Sequence, residues 1–264
     1  MATEALTDEA AGTLQLGDLE VRRLGFGAMR VTGERIWGQP PNHEAALAVL
    51  RRAVELGINL IDTADSYGPE VSEALIAEAL HPYPANLVIA TKGGLTRTGP
   101  GEWSRDGSPQ HLREACEGSL LRLKLDRIDL YQLHAPDSKV PYEESVGTLK
   151  DLRDEGKIRH VGVSNVSVAQ LRLARTIVPV VSVQNRFNLD DRGSEDVLEE
   201  CESEGLGFIP WFPLGRGDLT KPGSATAEIA KRHEATPAQI AIAWLLQQSP
   251  AMLPIPGTAS IDHL

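Results

Sequence analysis

Eight short apolar runs, rich in β-branched residues and separated by longer stretches of helical spacing, constrain the fold of this chain most strongly. We predict strands over residues 24–28, 59–61, 87–91, 128–133, 158–163, 180–183, 207–210 and 251–254. Helices are predicted over residues 43–56, 69–80, 109–124, 142–155, 167–176, 194–204 and 237–248. Eight such units in about 250 residues are typical of a closed (β/α)8 TIM barrel, an α/β fold. An open doubly wound sheet is the alternative.

The chain shows no linker rich in proline, glycine or serine that would divide it. We therefore expect residues 12–264 to form one barrel domain after a flexible N-terminal tail over residues 1–11. Only residues 255–264 follow the eighth predicted strand, which is too few for an eighth outer helix. Either the sequence stops before that helix or the barrel lacks it, so we expect the eighth helix to be missing from this chain.

Composition excludes several classes of protein. The 264 residues are 41% hydrophobic, enough for a sizeable core, and 26 Lys plus Arg against 37 Asp plus Glu give a net charge of −11. That charge argues against nucleic acid or an anionic membrane as a partner. The two cysteines, Cys116 and Cys201, do not have the spacing of metal ligands or of a disulfide scaffold. With no apolar run of membrane-spanning length and no signal peptide, a cytoplasmic protein is expected.

Several common catalytic and nucleotide-binding motifs are absent. No G-x-G pair has the third glycine of the dinucleotide fingerprint, and the chain contains no G-x-x-x-x-G-K-[ST], H-E-x-x-H or G-x-S-x-G motif. Hydrolase and metalloenzyme functions therefore have no specific support, and we expect no metal site.

Polar side chains follow successive predicted strands, at the end where a parallel barrel carries its chemistry. Asp62 and Tyr67 follow the second strand, Lys92 follows the third, and His134 follows the fourth. Neighbouring strands lie about 5 Å apart, so these side chains can meet at one mouth. Each alone has an ordinary structural explanation, as a helix cap, a solvated charge, a hydrogen-bonding histidine or rim packing. Their common location favours a catalytic site.

These four side chains suit proton donation to a carbonyl group. A free phenol has a pKa of about 10, and we expect the Lys92 cation to lower the pKa of Tyr67 while Asp62 holds Lys92 in place. His134 can donate a hydrogen bond to a carbonyl oxygen and orient it. The set contains no hydride source, so a reductase would need a cofactor.

Motifs from about Arg23 to the end of the chain resemble those of the aldo-keto reductase family, in the family's order. They are GINLIDTADSYG, VIATKGG, DLYQLHAPD, IRHVGVSNVS, VQNRFN, PLGRG and LPIPGT. The resemblance implies a (β/α)8 barrel that binds NADP(H) in extended form without a Rossmann fold, which explains the missing third glycine. It also implies a catalytic tetrad of Asp62, Tyr67, Lys92 and His134, in which Tyr67 protonates the carbonyl oxygen as the nicotinamide delivers hydride.

The resemblance also implies cofactor contacts. Ser164, Asn165 and Gln184 match the positions that bind the nicotinamide carboxamide, and Trp211 matches the aromatic residue that stacks on the ring. Phe212 stands where many members have serine, so its contact would be through the backbone. The other matching positions are Asp62, Gly27, Ala28, Met29, Pro213, Leu214, Gly215, Arg216, Gly257, Thr258 and His263.

The choice between NADPH and NADH depends on the last part of the chain. Gly257, Thr258 and His263 stand where the best-known NADPH-specific members carry Lys, Ser and Arg for the 2′-phosphate. We expect NADP(H), with NAD(H) as the alternative. Because the protein is acidic and the cofactor is polyanionic, we expect the mouth to be locally positive or rich in backbone donors, with Lys92, Arg216 and His263 as the candidate cations.

The segments FGAMR, IWGQP and PWFPLG resemble a bacterial branch that includes pyridoxal reductases. The expected substrate is a small carbonyl compound, with pyridoxal as one candidate. Phe26, Trp37 and Trp103 are expected to line an aromatic substrate pocket, and ordinary rim or core packing is the alternative. The chain can be a monomer or a homo-oligomer.

Two other functions stay open. A nicotinamide-binding sensor or regulatory subunit, as the potassium-channel β-subunits of this family are, would keep the same tetrad. A barrel lyase with a Schiff base on Lys92 is disfavoured, because Asp62 would keep that amine charged and so oppose nucleophilic attack.

Overall fold

The computed structural model describes residues 11–215, 218–221 and 223–264. Its strands are β1 (Thr13–Leu16), β2 (Leu19–Arg22), β3 (Phe26–Gly27), β4 (Leu60–Asp62), β5 (Val88–Gly93), β6 (Leu95–Gly99), β7 (Glu102–Arg105), β8 (Ile128–Leu133), β9 (Ile158–Ser164), β10 (Val180–Gln184) and β11 (Gly207–Phe208). Its helices are α1 (His43–Glu55), α2 (Val71–Leu80), α3 (Pro109–Leu123), α4 (Tyr142–Asp154), α5 (Val168–Ile177), α6 (Glu195–Ser203), α7 (Ala225–Arg232) and α8 (Pro237–Gln248). Of the predicted tail, residues 1–10 lie outside the described residues, as does Arg216.

Seven parallel strands form one curved sheet, in the order β3, β4, β5, β8, β9, β10 and β11. An extended segment over residues 251–256 joins the two edges of this sheet. On one side the Leu253 N–H donates to the Phe208 carbonyl at 2.9 Å, and on the other the Gly25 N–H donates to the Pro254 carbonyl at 2.9 Å. The segment thus takes the place of an eighth strand, and the predicted (β/α)8 barrel is confirmed.

The seven predicted helices are present, each with ends within two residues of the prediction. Sequence analysis missed α7, an eight-residue helix capped by the Ser224 hydroxyl, and two antiparallel hairpins, β1/β2 and β6/β7. The first hairpin does have a sequence signal, because apolar and polar residues alternate on both sides of a turn at Gly17 and Asp18. In β6/β7 the side chains are mostly exposed or half-buried. The sequence therefore has no alternation of apolar and polar residues from which these strands could be predicted.

The β1/β2 hairpin closes the end of the barrel opposite the predicted mouth. Asn59, immediately before β4, accepts from the Arg22 N–H at 2.8 Å and donates to the Glu20 carbonyl at 3.0 Å. Apolar side chains of the hairpin then pack against the inward-facing apolar side chains of the barrel strands. This cluster contains Leu16, Leu19, Val21, Leu60, Val88, Leu130, Ile209 and Leu253. The barrel interior below the mouth is therefore filled and apolar, as close packing requires.

No helix in the described part of the chain is long and apolar enough to cross a membrane. Both cysteines are buried as free thiols, and burial raises the pKa of each to about 12. After the barrel closes, the described residues form a short 3-10 turn over Ile261–His263.

A buried charge cluster lies beside the loop that carries Tyr67. Glu73 of α2 is fully buried and accepts from the Arg122 guanidinium at 2.7 Å and from the Thr91 hydroxyl at 2.6 Å. Burial, and then the negative charge of Glu73, raise the pKa of Asp65 to about 8. One Asp65 oxygen, Oδ1, is buried and has no hydrogen-bond partner within the described chain. Asp65 is therefore a protonated carboxyl group at neutral pH.

We expect Asp65→Asn to stabilise the protein more as the pH rises. The ordinary pKa of the group is 3.8 and the folded value is about 8, so the wild type loses stability between those values while asparagine does not ionise. A difference of about 1 kcal/mol shifts Tm by about 2–4 °C in a chain of this size, so the Tm of the variant relative to wild type should rise by at least about 2 °C from pH 4 to pH 8. Equal shifts at pH 4 and pH 8, or the same trend in the exposed control Asp262→Asn, would contradict this reading.

Candidate active site

Polar side chains form one layer inside the barrel, directly above the apolar filling. Side chains alternate between the two faces of a strand, so Asp62 points inward two residues after Leu60, as Lys92 does two residues after Ala90. Lys92 pairs in register with Gln132 of β8. All three polar residues are at least 98% buried, so each needs partners inside the protein.

The Lys92 ammonium group uses its three N–H donors on three acceptors. Nζ lies 2.6 Å from Asp62 Oδ1, 2.8 Å from the Thr63 carbonyl oxygen and 3.4 Å from the Tyr67 hydroxyl. Burial alone would lower the pKa of Lys92, but the Asp62 carboxylate and the Tyr67 side chain raise it above its usual value. Lys92 is therefore a buried cation aimed at the Tyr67 oxygen, and it is not a neutral amine nucleophile.

Two glutamines satisfy the second Asp62 oxygen. The side-chain amides of Gln132 and Gln184 donate to Oδ2 at 3.2 and 2.7 Å. Gln184 is one of the residues that sequence analysis assigned to the nicotinamide carboxamide, and here its amide nitrogen is directed at Asp62. Sequence analysis gave Gln132 no role, although its inward position between Leu130 and His134 was a signal. Both Asp62 oxygens therefore have hydrogen-bond partners inside the protein, as a carboxylate that is only 2% exposed requires.

Tyr67 is the second titratable neighbour of Lys92 in this layer, after Asp62. Burial raises the pKa of Tyr67, and the Lys92 cation only partly offsets that increase, so the net pKa is above 10.0. The expected lowering by Lys92 is thus present, but burial penalises the phenolate more than one cation stabilises it. The phenol is therefore protonated at neutral pH. Its oxygen accepts from Lys92, which leaves the phenolic hydrogen to point elsewhere.

His134 completes the group of four. Its ring lies edge-on to the Tyr67 ring, with centroids 5.8 Å apart, and its Nδ1 lies 3.4 Å from the Ser66 hydroxyl oxygen. Burial, and then the Lys92 cation, hold the pKa of His134 well below 6.5. The imidazole is therefore neutral, with one nitrogen that donates and one that accepts. Ser66 was not singled out from the sequence.

A hydrogen-bonded set on β9 and its neighbours forms the other side of the mouth. The Asn165 amide donates to the His134 carbonyl at 2.9 Å and to the Ser164 hydroxyl at 3.0 Å. The Trp211 indole N–H donates to Asn165 Oδ1 at 3.1 Å, and the Ser164 hydroxyl donates to the Gln184 carbonyl at 2.6 Å. A half-exposed indole face is thus fixed beside an amide and a hydroxyl group.

Two further segments with predicted cofactor contacts adopt turns. Phe212 and Gly215 have φ angles of 53° and 61°, and the Gly215 N–H donates to the Phe212 carbonyl at 2.9 Å, so Pro213 and Leu214 lie within this turn. The Phe212 carbonyl also accepts from Asn188 at 3.0 Å.

The end of the chain runs close to the loop after β3. A Cβ on Gly257 would lie 2.1 Å from the Gly27 carbonyl oxygen, so only glycine allows this approach to the Gly27–Met29 segment. Ala28, within that segment, is fully buried. The Thr258 hydroxyl lies 3.2 Å from His263 Nδ1, which places a hydroxyl and an exposed imidazole side by side.

The three predicted pocket aromatics lie in different places. The Trp103 ring is 39% exposed and meets the Tyr67 and His134 rings edge-on, with centroids 6.5 Å away in both cases. Trp37 forms a parallel bridge with Gly68, beside Tyr67. Phe26 does not line the mouth. It is 2% exposed and packs in the core between the barrel and its outer helices, because its position on β3 faces outward.

The described residues contain no cluster of three or more His, Cys, Asp or Glu side chains that could hold a metal ion.

Comparison with known proteins places this geometry in a family. Residues 23–264 match the Aldo/keto reductase family. An uncharacterized oxidoreductase of Schizosaccharomyces pombe is 53% identical over 100% of this chain and 86% of its own length, and pyridoxine 4-dehydrogenase of Escherichia coli is 39% identical over 97% and 91%. The structure of an aldo/keto reductase from Klebsiella pneumoniae in complex with NADP and acetate superposes with a TM-score of 0.80 at 28% identity, over 95% of this chain and 86% of that one. The chain is an oxidoreductase-type barrel that belongs to the aldo/keto reductase family.

Proposed function

We propose that this protein is an NADPH-dependent oxidoreductase that reduces an aldehyde or ketone to an alcohol, with Tyr67 as the proton donor. The observation that carries the proposal is the arrangement around the Tyr67 oxygen. Lys92 Nζ donates to that oxygen from 3.4 Å, so the phenolic hydrogen is available to an acceptor in the mouth. A protonated phenol beside a fixed cation suits transfer of a proton to a carbonyl oxygen that gains negative charge.

The residues on the opposite side of the mouth fit a nicotinamide. The half-exposed Trp211 face can stack on a flat ring, and the exposed Asn165 amide, held in place by the buried Ser164 hydroxyl, lies beside it for a carboxamide. The complexes of family members with NADP and NADPH support the same cofactor. When bound, this cofactor supplies the hydride that the side chains cannot.

Each member of the tetrad has a separate task in this proposal. Tyr67 gives its proton to the carbonyl oxygen, and the Lys92 cation stabilises the phenolate that results. Asp62 keeps Lys92 charged and fixed. His134 is neutral, and we assign the donor role in its contact with Ser66 to the Ser66 hydroxyl. The other ring nitrogen of His134 then carries the proton and donates a hydrogen bond that polarises the carbonyl.

Pyridoxal is a candidate substrate because the relative from Escherichia coli is a pyridoxine 4-dehydrogenase. The Trp103 ring beside Tyr67, with Trp37 on the loop that bridges to Gly68, suits a flat heteroaromatic aldehyde. A screen of NADPH consumption over aldehydes, ketones and pyridoxal would identify the substrate.

Tyr67→Phe should lower kcat by about 10²–10⁴-fold, because it removes the proton donor, while the affinity for NADPH stays within a factor of about two. Steady-state kinetics and a fluorescence titration with NADPH would measure the two effects. Tyr142→Phe is a matched control, since the buried Tyr142 hydroxyl has no hydrogen-bond partner in the described chain. Near-wild-type kcat in Tyr67→Phe would overturn the role of Tyr67. Stoichiometric NADPH oxidation without turnover by the wild type would favour a sensor or regulatory subunit.

His134→Ala should raise the activation free energy by about 2.7–4 kcal/mol, by analogy with the loss of one oxyanion donor. Because the pKa of His134 lies well below 6.5, the wild-type kcat/KM should show no step from this residue between about pH 6 and pH 8. A pH–rate profile of wild type and variant tests this assignment. A step near pH 6.5 that disappears in His134→Ala would mean that the imidazole is charged in the active form.

NADPH should bind more tightly than NADH, because Thr258 and His263 together offer a hydroxyl and an imidazole to the 2′-phosphate. We expect His263→Ala to weaken NADPH binding and to leave NADH binding unchanged, as measured by fluorescence titration with both cofactors. Comparable kcat/KM for NADPH and NADH in the wild type would refute the preference.

A further inference from the structure

Arg97, on the first strand of the β6/β7 hairpin, connects three segments at the rim of the mouth. Within the described chain its five hydrogen bonds all end on backbone carbonyl oxygens. They run from Nε to Glu102 at 2.9 Å, from Nη1 to Ile36 at 2.9 Å and Ser66 at 3.3 Å, and from Nη2 to Arg35 at 3.2 Å and Gly99 at 3.4 Å. A guanidinium group has five N–H donors, so this arrangement matches its full capacity.

The same guanidinium lies over two tryptophan rings, those of Trp103, which meets the Tyr67 ring edge-on, and Trp37, whose backbone bridges to Gly68. Its Cζ lies 3.8 Å from the centroid of the Trp103 ring and 5.5 Å from that of the Trp37 ring. We call these two rings the aromatic wall. The distances are within the range of cation–π attraction, and a planar guanidinium can also stack on an indole ring. Arg97 therefore holds the two rings as well as the backbone segments that carry them.

The backbone of the loop that carries Trp37 is hydrogen-bonded to groups outside the loop. Arg35 and Ile36 have φ angles of 57° and 61°, a left-handed conformation that is unusual for a β-branched residue. Both of their carbonyl oxygens accept from Arg97. The loop is also joined to the Tyr67 segment, because the Gly38 N–H donates to the Gly68 carbonyl at 2.6 Å.

We propose that Arg97 is a positioning residue that sets specificity by holding the aromatic wall against the catalytic mouth, so that the pocket favours flat aromatic carbonyl substrates. The inference rests on the proposed reductase function and adds a residue that acts through Trp37 and Trp103. Tyr67 itself has independent anchors in Lys92 and in the backbone bond from its own N–H to the Ala64 carbonyl at 3.2 Å. Loss of Arg97 should therefore release the wall and leave proton donation intact.

Charge alone does not explain the role of Arg97. A lysine would keep the positive charge, but its single ammonium cannot reach carbonyls from three segments or lie flat on an indole ring. Arg97→Met removes the guanidinium group with its five N–H donors and keeps an apolar side chain of similar length against Trp103. Comparison of Arg97→Lys with Arg97→Met therefore separates a requirement for positive charge from a requirement for the planar guanidinium.

The test compares 2-naphthaldehyde with propanal as substrates of the full-length enzyme with NADPH. In Arg97→Met we expect kcat/KM for 2-naphthaldehyde to fall at least about tenfold. The change should be mainly an increase in KM, because contacts with the aromatic wall stabilise the bound substrate and the transition state equally. For propanal, which is too small to cover the wall, kcat/KM should stay within about threefold of wild type. Arg97→Lys should show the same selective loss.

A readout without turnover accompanies the kinetics. Quenching of tryptophan fluorescence by acrylamide should increase in both Arg97 variants, because the wall rings become more accessible. Arg105→Met is the matched control, since Arg105 lies on the same hairpin and donates to one backbone carbonyl, that of Pro136, at 3.1 Å. It should change neither the substrate ratio nor the quenching.

Three results would overturn the role of Arg97: an equal loss with both aldehydes, full rescue of the substrate ratio in Arg97→Lys, or unchanged acrylamide quenching. If the wild type consumed NADPH with none of the screened aldehydes, ketones or pyridoxal, the proposed function would fail, and the quenching comparison would still decide whether Arg97 holds the aromatic wall.

Discussion

The buried ion pair between Lys92 and Asp62 is the interaction on which the rest of the site depends. Two fully desolvated charges are tolerated only when every remaining donor and acceptor is paired, because a lone charge in the interior is strongly destabilising. The Thr63 carbonyl and the amides of Gln132 and Gln184 provide that pairing. The barrel makes it possible, since successive strands bring residues distant in sequence into one inward-facing layer.

The same burial fixes the protonation states around the pair. It raises the pKa of Tyr67 and lowers the pKa of His134, so both side chains are neutral donors beside one permanent cation. The apolar filling beneath, completed by the β1/β2 hairpin, keeps this layer away from water. In a dry site the charge of Lys92 acts on Tyr67 with little screening, which favours proton transfer from the phenol.

The sequence contained most of the fold and the four central residues, because strand and helix periodicity and strand-end polarity are local signals. Three features required three-dimensional information: the role of Gln132, the net increase of the Tyr67 pKa by burial, and the core position of Phe26. Each depends on which face of a strand is buried and by how much. Arg97 could not be found either, since its acceptors come from segments more than 60 residues apart in the chain and are backbone atoms, which carry no side-chain pattern.

The most direct test of the dependence of Tyr67 on the buried pair is a double-mutant cycle on kcat with Lys92→Met and Tyr67→Phe. If Lys92 acts through the Tyr67 phenol, Lys92→Met should lower kcat strongly in the wild type but by less than about tenfold in the Tyr67→Phe background. If the two losses simply multiply, Lys92 contributes independently of the phenol, and the proposed tuning of the proton donor is contradicted.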